Sequence, residues 1–321
     1  MLTLLKLLQD GHFHSGQAIG QALRISRSAV WKQVRRLESE FGVELNRVRG
    51  RGYQLVRPIV LLGDTALTKK GLSDIYPFHI YESLGSTNTE AIRLLEKGVE
   101  PPFLILAEKQ TVGRGRRGRI WQSPFGENIY LSLAVRIQKG ARQLEGLSLV
   151  IGLAVMQALR ASGISRVGLK WPNDVLVQEK KIAGVLLELT GDPADVCHVV
   201  VGVGVNVNME DGGCIEQPWT SMKLELQSYI DRNCLVYELC LRLREYLVRH
   251  AESGFVALQK EWELNHLWQG CEVALIAGAQ RVEGVVLGVD HVGALRLSVN
   301  GVEQRYSGGE ISLRLRDDHR A

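Results

Sequence analysis

Hydrophobic positions change their period twice along the chain. Over the first forty residues the spacing is helical: MLTLLKLLQDG reads as a first helix, Ser15 can cap a second running to about Leu23, and Ser26 can cap a third reaching Glu38. In the third helix Val30, Val34 and Leu37 recur at i, i+4 and i+7 and turn inward, with Trp31 at the core rim and Ser28, Lys32, Arg35 and Arg36 outward. Past Gly42 the period falls to two, and VELNRVRGRGYQLV reads as a β-hairpin turning at Arg49-Gly50-Arg51-Gly52. Helix-turn-helix plus hairpin predicts a winged helix. Its major-groove face would carry Ser26, Arg27, Ser28, Lys32 and Arg35, and Arg47, Arg49 and Arg51 would alternate along the ribbon toward phosphates or a minor groove. The rival is a small helical domain with a solvated basic surface.

Between about residues 64 and 268 the two periods alternate. Helical spacing covers Thr87 to Lys97, Leu144 to Ala161 and Leu235 to Ala251; strand-like runs are FLILAEKQ, NIYLSLAV, KIAGVLLELT and VCHVVVGVGVNV. Several strands follow one another through short turns, which predicts a mixed or antiparallel sheet rather than a doubly wound parallel one. Cys271 to Leu315 is strand-rich and punctuated by glycine. The fold expected is an α+β multidomain protein with boundaries at 1–62, 63–268 and 269–321.

Composition narrows this reading. The chain has 321 residues, 45% hydrophobic and 23% charged, and no apolar run approaches the roughly 18 residues of a membrane span, so a soluble cytoplasmic protein with no membrane partner is expected. Lys6, Asp10 and the lack of a small-residue cleavage site argue against a secretory signal. Five cysteines without CxxC spacing, in or beside apolar runs, predict reduced buried thiols and neither disulfides nor a zinc site. Residues 1–60 hold ten Lys/Arg against four Asp/Glu, while the remainder holds 29 against 31. A basic appendage on a near-neutral body fits DNA binding.

The most unusual local sequence is Gly113-Arg-Gly-Arg-Arg-Gly-Arg119. Glycine lets backbone amides approach a ligand, and guanidinium forks bind phosphate or carboxylate oxygens in pairs, so the loop suits closure over an anion. A solvated flexible loop and a nonspecific nucleic-acid-binding stretch are the alternatives from the heptapeptide alone. Its setting, between a strand ending at Gln110 and the segment Trp121-Gln-Ser-Pro-Phe-Gly-Glu-Asn128, favours an ordered site.

Ser86-Thr-Asn88, Gln110 with GRGRRGR, Lys170-Trp-Pro-Asn-Asp174, Lys181-Ile-Ala-Gly184, Gly202-Val-Gly-Val-Asn206 and Gly308-Gly-Glu-Ile-Ser-Leu-Arg314 resemble, in order and spacing, the bacterial bifunctional biotin protein ligases that also repress the biotin biosynthesis operon. The resemblance spans the whole chain. It implies a catalytic domain like that of class II aminoacyl-tRNA synthetases, an SH3-like C-terminal barrel, and synthesis of biotinyl-5'-AMP from biotin and ATP with Mg2+. Biotin would then pass to a lysine of the biotin carboxyl carrier protein of acetyl-CoA carboxylase. A homodimer formed on the adenylate would bind operator DNA.

The same resemblance assigns biotin to Ser86, Thr87, Asn88, Gln110, Gly113, Arg114, Arg116, Lys181 and Gly184, and the adenylate to Arg117, Arg119, Trp121, Asn173, Asn206 and Trp219. Lys181 would stabilise the charge that grows on the acyl oxygen and bridging phosphate, with Arg114, Arg116, Lys170 and Asp174 as further catalytic candidates. The loop from Asn206 to Trp219 is about two residues shorter than in the best-known relatives, and Gly85 stands where an aspartate often precedes Ser-Thr-Asn. Two other readings are a ligand-sensing winged-helix repressor without ligase activity, against which intact Lys181 and GRGRRGR argue, and a lipoate or octanoate transferase.

Overall fold

A computed structural model describes residues 2–137, 143–191, 197–278, 280–309 and 311–316. The helical spacing at the start builds α1 (Leu2–Leu8), α2 (Gly16–Leu23) and α3 (Arg27–Phe41), followed by the hairpin β1 (Leu45–Val48) and β2 (Gly52–Leu55). Ser15 and Ser26 cap α2 and α3 by accepting from Ala18 N and Ala29 N. Val30, Val34 and Leu37 are fully buried, joined by Leu4, Leu5, Leu8 and Ile19.

Three expectations for this region change. Trp31 is 48% exposed rather than at the core rim, and the Arg35 guanidinium lies 5.3 Å over its ring. The strands have only four residues, so Arg49 and Arg51 fall in the turn and the three arginines do not share a ribbon face. Arg47 is held by Glu38 of α3, and Arg51 lies 4.2 Å over the Phe13 ring.

After α4 (Asp64–Lys69) come β3 (Phe78–Tyr81), α5 (Thr87–Glu96), β4 (Phe103–Ala107), β5 (Ile129–Ile137), α6 (Leu147–Ala161), β6 (Val167–Lys170), β7 (Asp174–Val177), β8 (Lys180–Gly191) and β9 (Cys197–Val205). The strands form one sheet in the order β3-β4-β5-β9-β8-β7-β6, antiparallel except for β3 with β4. Then α7 (Met222–Leu226), α8 (Arg232–Ser253) and α9 (Val256–Leu264) lead to a second antiparallel sheet of β10 (Glu272–Ala277), β11 (Gln280–Val289), β12 (Leu295–Val299), β13 (Val302–Tyr306) and β14 (Ile311–Leu315).

Strand alternation gives the large sheet two unlike faces. Leu104 and Leu106 of β4, Leu131 and Leu133 of β5, and Val199, Val201, Val203 and Val205 of β9 enter the main core, which α6 and α8 cover. That core runs on into the second sheet through Val273, Leu275, Leu297 and Leu313. On the other face Phe103, Ile105, Ala134 and Val200 make a small patch under α5, and then β9 continues as Gly202 and Gly204. The change from valine to glycine removes side chains there and leaves a cleft.

Two further expectations are corrected. The strand expected to reach Gln110 stops at Ala107, because Glu108 turns its carboxylate to Arg232 and Leu62 N. Cys214 and Cys234 are exposed rather than buried: Cys214 lies in the loop after β9, and Cys234 begins α8 on its solvent side. None of the five cysteines, all among the described residues, forms a disulfide. No helix among the described residues is long and apolar enough to cross a membrane.

Candidate active site

The glycines of β9 fix the floor of the cleft by what rests on them. A Cβ on Gly202 would stand 2.4 Å from Asn88 Oδ1, and one on Gly204 2.5 Å from the Trp121 ring, so both side chains sit directly on the strand backbone. Asn88 belongs to the first turn of α5 and Trp121 to the segment after the arginine loop. The Trp121 indole N–H is buried with no partner among the described residues.

The first turn of α5 is tied to the loop by a chain of polar contacts. Gln110 Oε1 accepts from Thr87 N at 2.9 Å and Thr87 Oγ1 at 3.2 Å, and its Nε2 donates to Ser123 Oγ at 3.1 Å. Ser132 Oγ lies 2.7 Å from Thr87 Oγ1 and 2.5 Å from Asn88 Oδ1. Gly113 must be glycine here, since a Cβ would meet Trp121 O at 2.5 Å and Ser123 Oγ at 2.7 Å. Beyond it Gly115 N donates to Arg119 O at 2.7 Å and Trp121 N to Gly113 O at 2.9 Å, closing the loop at its neck, while Arg117 at the tip holds a left-handed backbone with φ 59°.

Two arginines anchor this loop. Arg114 Nη2 donates to Glu188 Oε1 at 3.0 Å, and Arg116 donates to Asn173 Oδ1 at 3.0 Å and to the carbonyls of Gly308 and Gly309. Arg117 and Arg119 line the cleft and make no ion pair among the described residues.

On the opposite wall Lys181 Nζ lies 2.5 Å from Asp174 Oδ1 and 5.4 Å from the Trp121 ring centre, and Lys170 Nζ lies 4.5 Å from that of Trp268. Burial pushes the Asp174 carboxyl up, but Lys181, Lys170 and Arg116 together outweigh burial and hold it below its ordinary range. Burial pushes the Lys170 ammonium down, with Asp174 opposing. Arg116 is likewise lowered by burial.

Of the residues singled out in the sequence, Ser86, Thr87, Asn88, Gln110, Arg114, Arg116, Arg117, Arg119, Trp121, Lys170, Asn173, Asp174, Lys181 and Gly184 all line one cleft. Gly113, Asn206 and Trp219 do not line it. Gly113 lies beneath Trp121, the Asn206 amide is bound to Thr220 O at 3.0 Å, and Trp219 packs on Gly212. Asn206 and the strand residue Lys181, whose N–H donates to Pro218 O, nevertheless join this loop to the cleft wall. Sequence reasoning missed Ser132, Glu188 and the β14 residues Ile311, Ser312 and Leu313 that close one end. Ser132 and Glu188 had a signal: each interrupts an apolar run, Ser132 between Leu131 and Leu133 and Glu188 between Leu187 and Leu189.

The geometry defines a cleft for an anionic ligand beside an α/β sheet, in a chain that begins with a helix-turn-helix unit. Residues 81–206 match the model of the Biotin/lipoate A/B protein ligase family, and residues 1–54 that of an HTH domain. The bifunctional ligase/repressor BirA of Salmonella typhimurium is 38% identical over 316 residues, 98% of this chain and 97% of its own. That of Bacillus subtilis is 31% identical over 305 residues, 92% of each. The solved structure of the biotin protein ligase from Aquifex aeolicus in complex with biotin and ATP is similar with a TM-score of 0.66 and 31% identity, over 74% of this chain and 99% of that one. The class is thus a protein ligase joined to a DNA-binding unit. More narrowly, the chain belongs to the family of bifunctional ligase/repressors.

Proposed function

We propose that the protein is an ATP-dependent biotin protein ligase and a transcriptional repressor in one chain. The observation that carries this reading is the charge of the cleft: Arg114, Arg116, Arg117, Arg119, Lys170 and Lys181 line it against Asp174, with Glu188 paired to Arg114 at its edge. Biotin and ATP bring a carboxylate and a triphosphate together, and fixed cations offset their mutual repulsion.

Biotin is a poor acyl donor as a carboxylate. Its carboxylate oxygen attacks the α-phosphorus of ATP, pyrophosphate leaves, and biotinyl-5'-AMP results. A lysine amine of the biotin carboxyl carrier protein of acetyl-CoA carboxylase then attacks the acyl carbon, and AMP leaves. Lys181 stabilises charge at the acyl oxygen and bridging phosphate in both steps. Asp174, 2.5 Å away and held ionised, orients that ammonium; a carboxylate kept below its usual range is a weak base, so positioning is the role assigned. Ser86, Thr87, Asn88, Gln110, Arg114, Arg116 and Gly184 form the acid's side of the cleft, with Arg117, Arg119, Trp121 and Asn173 on the nucleotide's. The unpartnered Trp121 N–H is a donor held for a ligand. Gly113, Asn206 and Trp219 shape these groups from behind. Loop closure excludes water from the mixed anhydride.

Mg2+ would be carried by the triphosphate and would neutralise phosphate charge there; Asp174, already paired with Lys181 at 2.5 Å, is left to its positioning role. The domains assigned are 1–62, 63–268 and 269–321, with a synthetase-like catalytic sheet and an SH3-like C-terminal sheet. The adenylate persists when acceptor is scarce and promotes a homodimer that binds the operator of the biotin operon through Ser26, Arg27, Ser28, Lys32, Arg35, Arg49 and Arg51. The location is cytoplasmic.

The test is biotin-dependent exchange of labelled pyrophosphate into ATP, with lipoate as control. Exchange with biotin alone, reduced by about a hundredfold or more in Lys181→Ala, is expected. Exchange with lipoate alone, or with neither acid, overturns the reading.

A further inference from the structure

Glu188 carries no part of the chemistry above, yet it occupies the root of the arginine loop. It stands on β8 two residues beyond Leu186 and four beyond Gly184, on the cleft side of the strand. Asn88 Nδ2 donates to Glu188 Oε2 at 2.7 Å, and Arg114 Nη2 donates to Oε1 at 3.0 Å and Oε2 at 3.2 Å. Asn88 is itself immobilised on Gly202 and beside Ser132 Oγ. Arg114 also donates to Thr89 Oγ1 at 3.1 Å. A carboxylate thus joins the helix that carries the Ser-Thr-Asn turn to the first arginine past the loop's neck.

We propose that Glu188 is a positioning residue for the acid-binding half of the cleft: Asn88 fixes its carboxylate, and the carboxylate fixes Arg114. This inference rests on the ligase reading. The neck of the loop is closed by backbone contacts between Gly113 and Trp121 and between Gly115 and Arg119; these fix the course of the chain on either side of Arg114 but leave its guanidinium to be placed by side-chain partners. The other anchored arginine, Arg116, is held from the far side by Asn173 and the carbonyls of Gly308 and Gly309. With Glu188 in place, the loop is pinned at two points on opposite walls, and Arg117 and Arg119 between and beyond them face the cleft. Without it, Arg114 keeps only the neutral Thr89 hydroxyl, and biotin must finish ordering the loop as it binds.

A tie that merely braced α5 against β8 would change stability and leave the affinity for biotin in the folded protein untouched. The variants are Glu188→Gln, which keeps shape and removes charge, Glu188→Asp, Arg114→Gln and the Glu188→Gln/Arg114→Gln pair. In pyrophosphate exchange, Glu188→Gln is expected to raise the KM for biotin about tenfold, the effect of one charge-assisted hydrogen bond, with kcat and the KM for ATP within about twofold. Glu188→Asp is expected to recover most of the loss, and Glu188→Gln to add nothing once Arg114 is Gln. Independently of activity, trypsin is expected to cut the ligand-free Glu188→Gln protein after the loop arginines about tenfold faster than wild type, because the freed loop samples extended conformations. An unchanged KM for biotin, additive losses in the double variant, or equal rates of tryptic cleavage in the loop would overturn the proposal. Absence of exchange in the wild type would sink the ligase reading instead, and the cleavage comparison would still decide the role of Glu188.

Discussion

Asp174 stays ionised where burial alone would favour its neutral form, because Lys181 and Lys170 share its charge. The arrangement sets three charged side chains by one another rather than by solvent. Lys181 and Asp174 were legible in the sequence because they stand in short motifs: a lysine three residues before Gly184 in Lys-Ile-Ala-Gly, and a carboxylate after Trp-Pro-Asn. Their 2.5 Å contact was not legible, since it follows from β7 pairing with β8. His266 gave no signal at all. It is buried, stacked on Trp262 with ring centres 4.6 Å apart, and burial pushes its pKa down from 6.5 to about 4. The folded protein resists a proton that the unfolded chain takes up near pH 6.5. Stability is therefore undiminished above that pH and falls as pH drops toward 4, by up to about 3 kcal/mol from this residue. Urea unfolding at pH 7 and pH 4 is expected to show a loss larger by that amount in wild type than in His266→Phe, which keeps the stacked ring but cannot titrate.

At the scale of elements, the segment after the arginine loop links two cores. Trp121 rests on Gly204 in the cleft, Ser123 holds Gln110, and four residues after Trp121 Phe125 lies in the core of the winged helix, edge-on to Phe41 with ring centres 4.6 Å apart. Helix caps and hairpin were read correctly from spacing alone, because local chemistry decides them. Strands β3, β6 and β7 escaped notice: each has four residues, too short to show a period. The cleft itself follows from Gly202 and Gly204 succeeding Val200 on one face of β9 while valines continue on the other, a pattern visible only once the strand faces are assigned. Glu108 and Arg232, 2% and 0% exposed with 2.6 Å between them, tie β4 to α8 and to the backbone at Val60 and Leu62. Glu108→Ala leaves the guanidinium buried without its counter-ion and is expected to destabilise the protein by about 3–5 kcal/mol. Guanidinium denaturation checks this, and a variant with Glu108→Leu and Arg232→Met together is expected to recover much of the loss.

At the scale of the whole molecule, the basic excess of the first sixty residues belongs to a folded helix-turn-helix unit, while the cationic cleft lies in the ligase body. Charge counting separated the halves but did not apportion the arginines: Arg36 and Arg47 are spent on Glu40 and Glu38. Lys32 and Arg49, exposed on α3 and at the hairpin turn, make no ion pair among the described residues. Lys32→Ala and Arg49→Ala are each expected to weaken DNA binding and to reduce the slope of log K against log salt by about 1, as the loss of one phosphate contact would. A titration of operator DNA across a salt series gives that slope.

The most direct test of the account is to isolate what the cleft makes. The protein is incubated with biotin, ATP and magnesium, separated rapidly from free ligand, and the retained small molecule is weighed by mass spectrometry before and after addition of biotin carboxyl carrier protein. The account predicts retained biotinyl-5'-AMP that disappears as the carrier gains biotin on lysine; retention of only unreacted biotin and ATP would contradict it.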